Sequence, residues 1–162
     1  DYPAIMVMNT LLGSSGLSSR LFLDLMENKG LAYVVRRGYE TKEKSALFIV
    51  YIGSEPKNIK TSLDGFKVEL DKIKNIPVTK EELESAKNNL IGKRQFFTET
   101  NLQQSSLMAF YEDKGLGADF EEKLTNMIKE VTIEDIQRVA NLCFNGPYVL
   151  TILAPEKYLK EI

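Results

Sequence analysis

The chain has 162 residues, 27% of them charged, and 23 acidic against 21 basic side chains leave a formal net charge of −2. That length suits one domain with a real core, and the near balance of charge gives no basic footprint for a phosphate backbone. Composition therefore points to a protein or peptide partner and away from nucleic acid.

The sequence contains no histidine and one cysteine, Cys143. An internal disulfide framework is excluded, and a reducing, cytoplasmic setting is the expectation. Zinc-hydrolase sites normally use imidazole ligands, and serine or cysteine nucleophiles normally use an imidazole base, so the chain by itself is not expected to be an active hydrolase. Cys143 lies among Val139, Ala140, Leu142 and Phe144, which reads as an inert buried thiol. No apolar run approaches the roughly 20 residues that span a bilayer.

The chain opens on a helical pattern, with Ile5, Met8, Leu11 and Leu12 at helical spacing and Pro3 in the first turn. It shows neither an initiator methionine nor a targeting segment, and its start reads as a cut in a longer protein. A Gly/Ser loop, Gly13 to Gly16, leads to a second short helix with Ser18 or Ser19 as N-cap and Gly30 placed to end it in a left-handed conformation. Two runs rich in Val, Ile, Tyr and Phe follow, Ala32 to Glu40 and Ser45 to Gly53, joined by the charged turn Thr41-Lys-Glu-Lys. They read as an antiparallel hairpin. On such a strand Tyr33, Val35 and Arg37 share one face and Arg36 points to the other, with Arg37 about 13 Å from Tyr33.

From Ser54-Glu-Pro a helix runs to about Asn75, its Ile59, Leu63, Phe66, Leu70 and Ile73 spaced by three and four. A long helix starts after Pro77, where Thr79 and Glu82 form a capping box. Further helices are expected over Leu102 to Lys114, Phe120 to Lys129 and Ile133 to Leu142, the last capped by Thr132. A final strand is expected from Tyr148 to Leu153. The order predicts an α+β fold, an antiparallel sheet packed on one face by several helices.

With these elements placed, three passages carry a family resemblance. The specific one is Asn9-Thr-Leu-Leu-Gly-Ser-Ser-Gly-Leu-Ser-Ser-Arg-Leu-Phe followed by Gly30-Leu-Ala-Tyr33, similar to the pattern N-x-x-L-G-G-G-x-S-S-R-L-F … R-E-x-x-G-L-A-Y. Val78-Thr-Lys-Glu-Glu-Leu and Val131-Thr-Ile-Glu-Asp-Ile support it. The chain resembles, over nearly its whole length, the C-terminal domain of insulinase/pitrilysin-type zinc peptidases, above all the bacterial relatives of mitochondrial processing peptidase.

That resemblance implies a two-layer domain, here residues 1–162, lacking the first strand of the family's domain. It implies a parent that cleaves peptides or unfolded proteins in a closed chamber. Zinc is then expected outside this chain, on an H-x-x-E-H motif in an N-terminal domain or in a paired subunit of a homo- or heterodimer. The family's substrate-holding Tyr corresponds to Tyr33, whose phenol would meet the scissile carbonyl or its oxyanion; read alone, Tyr33 is a half-buried sheet residue. The family's Arg corresponds to Met26, which neither donates a hydrogen bond nor carries charge and reads by itself as core. Arg20 is expected in a structural salt bridge. The Gly13–Gly16 loop is either a receiver of peptide or carboxylate through its N–H groups or a plain turn. Loss of the Arg favours one alternative, a catalytically dead partner subunit of a processing-protease-like heterodimer; a further alternative is an assembly domain like the respiratory-complex core proteins that resemble this family.

Overall fold

The structure is a computed structural model that describes residues 1–14, 20–28, 30–41 and 46–159. The first helix, α1 (Tyr2–Asn9), carries Pro3 in its opening turn and continues as a wider π turn, Thr10–Ser14. The next, α2 (Arg20–Phe22), also widens into a π turn, Leu23–Asn28. The serines proposed as its N-cap, Ser18 and Ser19, lie outside the described residues, as do Gly16 and the Lys42-Glu-Lys part of the hairpin turn.

The hairpin forms as expected. Strand β1 (Ala32–Thr41) pairs antiparallel with β2 (Ala46–Ser54). Val35 and Tyr39 of β1 and Phe48, Val50 and Ile52 of β2 pack against the buried core. Their alternation puts one face of the sheet on the helices, so the α+β layering holds.

A 3-10 turn, Pro56–Asn58, then leads into α3 (Ile59–Asn75). Its fully buried line is Ser62, Gly65, Glu69 and Ile73, and Phe66 and Leu70 flank that line half-buried. The apolar spacing therefore located the helix but placed its buried face some tens of degrees off. Glu69 tolerates burial because Lys72 Nζ, one turn on, pairs with its carboxylate.

Helix α4 (Lys80–Gln95) begins at the expected capping box: Glu82 N–H donates to Thr79 Oγ1 at 3.1 Å and Thr79 N–H donates to Glu82 Oε2 at 2.9 Å. A 3-10 turn, Phe96–Thr98, joins it to α5 (Asn101–Asp113), and α6 (Phe120–Glu130) and α7 (Ile133–Phe144) follow. Thr132 caps α7 by accepting from Asp135 N–H at 3.2 Å. Leu83 and Ala86 of α4, Leu124 and Ile128 of α6 and Ile136, Val139 and Ala140 of α7 close around α1, whose Val7 and Met8 are fully buried.

The expected last strand does not form. Residues 148–153 run without regular secondary structure, pair with neither β1 nor β2, and expose Tyr148, Val149 and Leu153. Strand propensity is realised only against a partner strand, and among the described residues the sheet has only two. A short terminal helix, α8 (Glu156–Leu159), was not anticipated.

Candidate functional site

Tyr33 enters the sheet immediately after a helix stop. Leu31 N–H donates back to the Leu25 carbonyl at 2.9 Å, and Gly30 holds φ +57°. A Cβ at Gly30 would meet nothing within 4 Å, so glycine is required there by backbone conformation alone.

The hairpin then opens on an irregular step. Ala32 is opposite Ser54 and Val34 is opposite Gly53, which leaves Tyr33 as the extra residue of a β-bulge. Bulges re-aim side chains, and this one takes Tyr33 out of phase with Val35. The expectation that Tyr33, Val35 and Arg37 share a face is thereby corrected: Val35 packs on the core, whereas Tyr33 is 71% exposed. Arg37 is in register with Val50 beyond the bulge, and Arg36 with Tyr51.

Gly53 is the floor beneath Tyr33. A Cβ built on it would lie 2.5 Å from Val34 Cγ1, 2.8 Å from Tyr33 Cε2 and 3.1 Å from Tyr33 Cζ. The aromatic ring thus lies directly over the glycine backbone, a close approach that no other residue type permits. The residue was not singled out from sequence, although a glycine inside a Val/Ile/Tyr run is the ordinary signal of such an approach.

Arg20 forms the expected structural ion pair. Its Nε donates to Glu82 Oε1 at 3.1 Å, and Nη2 donates to Oε1 and Oε2, both at 3.0 Å. Burial pushes the Glu82 carboxyl upward, but the Thr79 N–H and the Arg20 guanidinium outweigh it and hold the pKa below the usual carboxylate value. One carboxylate therefore both closes the α4 cap and ties α2 to α4.

Met26 follows the fully buried Leu25 but is itself half-buried and is not a member of the buried core. Gly13 belongs to the π turn that ends the first helix. Cys143 is half-buried on α7, and desolvation raises its thiol pKa, which suppresses the thiolate. The chain's donors do not suit zinc: the sequence has no imidazole, and among the described residues no group of three or more His, Cys, Asp or Glu side chains is placed to hold a metal ion.

Helices packed on one face of a two-stranded hairpin, with an exposed phenol at its opening bulge, define an α+β domain. Residues 1–90 match the peptidase M16 inactive domain, and the chain belongs to that family. YmxG of Bacillus subtilis, an uncharacterized zinc protease, is 28% identical over 156 residues, 93% of this chain and 37% of that protein. An uncharacterized zinc protease of Streptomyces coelicolor is 30% identical, over 95% of this chain and 33% of its own length. The chain thus spans about a third of the curated relatives it matches. The fold is shared with the crystal structure of a peptidase M16 inactive domain from Pseudomonas fluorescens, at a TM-score of 0.75 and 24% identity over 90% of this chain and 34% of that one. A conserved protein from Enterococcus faecalis V583 matches at a TM-score of 0.75 and 26% identity, covering 86% of this chain and 32% of its own.

Proposed function

We propose that residues 1–162 are the zinc-less C-terminal domain of a zinc metalloendopeptidase, closing a chamber around a peptide or unfolded segment and holding it for cleavage. The observation that carries this reading is Tyr33: an exposed phenol, aimed by a bulge and seated on Gly53. Zinc, held by an N-terminal domain of the same protein or by the paired subunit of a dimer, supplies the activated water.

The work of this chain is positional. The Tyr33 O–H donates a hydrogen bond to the scissile carbonyl oxygen. That bond strengthens as negative charge develops on the oxygen, so its contribution falls mainly on the transition state. The half-buried thiol fits a cytoplasmic setting.

In the full-length protein, Tyr33→Phe is expected to lower kcat about 10- to 100-fold with little change in KM, measured on a quenched fluorescent peptide. Unchanged kcat and KM would return Tyr33 to the role of an exposed sheet residue.

Met26 favours a second reading, a non-catalytic partner subunit or scaffold of a processing-protease-like heterodimer, because it brings neither charge nor donor to the place where the resemblance puts an Arg. The residues upstream in the parent gene separate the two. An H-x-x-E-H motif supports the peptidase half, and its absence supports the partner.

A further inference from the structure

Helix α5 is arranged against the usual rule for a surface helix. Among its 13 residues only Tyr111 is buried, whereas an amphipathic helix normally turns its apolar stripe inward. Leu102 is 77% exposed, and Met108 and Phe110 are also exposed. Leu102, Ser106 and Phe110 recur every fourth residue, so they form one line about 12 Å long. Ser106, within that line, donates its Oγ proton to the Leu102 carbonyl at 2.7 Å, and neighbouring Ser105 donates to the same carbonyl at 3.0 Å, so both hydroxyl protons are satisfied inside the helix. Phe96, 64% exposed, and Phe97 are also exposed, in the preceding 3-10 turn.

The helix is nevertheless held firmly. Thr100 and Gln103 form a reciprocal capping box, and Gln104 Nε2 donates to the Thr98 carbonyl at 2.8 Å, fixing the turn to the helix. At the other end Tyr111 O–H donates to Glu121 Oε2 at 2.6 Å, and Arg94 Nη2 donates to the Tyr111 hydroxyl at 2.6 Å. The Tyr111 ring lies 5.0 Å from that of Phe120. Leu102 and Phe110 are thus presented on one face of a helix capped at its start and tied down at its end, an arrangement suited to packing against a partner.

We propose that the outer face of α5, with Leu102 and Phe110 as its anchors, docks on an apolar surface of the polypeptide that lies outside these 162 residues. The inference rests on the reading of the chain as one domain of a longer protease. The matched relatives are about three times its length, this chain covering 37% of one and 33% of another. A tethered domain meets the face at an effective concentration on the order of millimolar, far above that of a freely diffusing second copy. The small Ser105, Ser106 and Ala109 between the two anchors let a partner helix approach closely.

The test is thiol labelling of the full-length protein, with Cys143 and any other cysteine replaced. Leu102→Cys is compared with Lys60→Cys and Glu130→Cys, both at exposed positions of other helices. Docking predicts that the Leu102 thiol reacts at least tenfold more slowly than both controls at every protein concentration. Adding Phe110→Ser should restore most of that rate by removing the second anchor. Labelling of the Leu102 thiol as fast as the controls overturns the proposal. Protection that vanishes on dilution also overturns it, since it assigns the face to a second copy. The readout needs no catalysis, so failure of the peptidase reading shows separately, in the kinetics of Tyr33→Phe.

Discussion

Gly53→Ala tests the support of Tyr33 most directly. The added methyl group would stand 2.5 Å from Val34 Cγ1 and 2.8 Å from Tyr33 Cε2, whereas carbon atoms settle at about 3.5–4.0 Å. Both neighbours must therefore retreat by about 1 Å. Tyr33 can do so cheaply, because its ring is exposed and free to swing outward. Val34 is β-branched and strand-bound, so its retreat means an off-rotamer χ1 or a local backbone shift costing about 1 kcal/mol. At this chain length that corresponds to a fall in Tm of about 2–4 °C. The same substitution displaces the phenol by about 1 Å from where the bulge aims it, a misplacement that costs up to about 100-fold when the group is a transition-state donor. The assay is paired: thermal unfolding, and kcat of the full-length protein on a peptide substrate beside that of Tyr33→Phe. A modest Tm loss with a kcat near that of Tyr33→Phe is expected. Unchanged Tm together with unchanged kcat would refute both the close approach and the role drawn from it.

Two further perturbations address the helix that delivers Tyr33. Glu82→Gln removes the charge that Arg20 grips and weakens the α4 cap, so Tm at neutral pH should fall by about 2–4 °C, for a loss of about 1 kcal/mol. The folded pKa of Glu82 lies below its ordinary 4.5. Its contribution is therefore complete above that value and is lost as pH falls through the folded pKa, and the Tm gap between wild type and Glu82→Gln should close in acid. A gap that persists in acid would assign the effect to packing. Met26→Arg, at a half-buried position outside the core, should leave the fold intact and, if the residue faces the chamber, raise kcat/KM by supplying a second donor. A sharp drop in Tm would show that the new charge is buried without a partner.

Most elements were legible because their signals are local. Pro3, the hairpin's β-branched runs, and the caps at Thr79 and Thr132 each specify structure within a few residues, and each is found. What escaped depends on contacts distant in sequence. The pairing of Arg20 with Glu82 joins residues 62 positions apart, and a capping box gives no hint that its carboxylate has a second partner. The buried face of α3 is centred on Ser62, Gly65 and Glu69, because two small residues allow close packing there and the ion pair with Lys72 offsets the burial of Glu69, none of which the apolar spacing shows. Tyr148 to Leu153 has strong strand propensity, yet propensity cannot supply the missing partner. The bulge at Tyr33 was hidden because strict alternation leaves no room for an extra residue, and only Gly53 in the facing strand betrays it.

Tyr33 is therefore placed by two separable devices. One is short-range: the bulge and the bare backbone of Gly53 set the direction of the ring. The other is long-range. A helix as short as α2, only Arg20–Phe22 before it widens, cannot hold itself together, so its position derives from the burial of Leu21 and Leu25 and from the grip of Arg20 on Glu82. These devices leave different signatures. Disturbing Gly53 should reduce turnover far more than stability, since the fold barely depends on where an exposed ring points. Disturbing Glu82 should reduce both in proportion, since loosening α2 from α4 relaxes the Gly30 stop from which β1 begins. If Glu82→Gln lowers Tm and leaves turnover untouched, the clasp serves the fold alone and the aim of Tyr33 is set entirely within the hairpin.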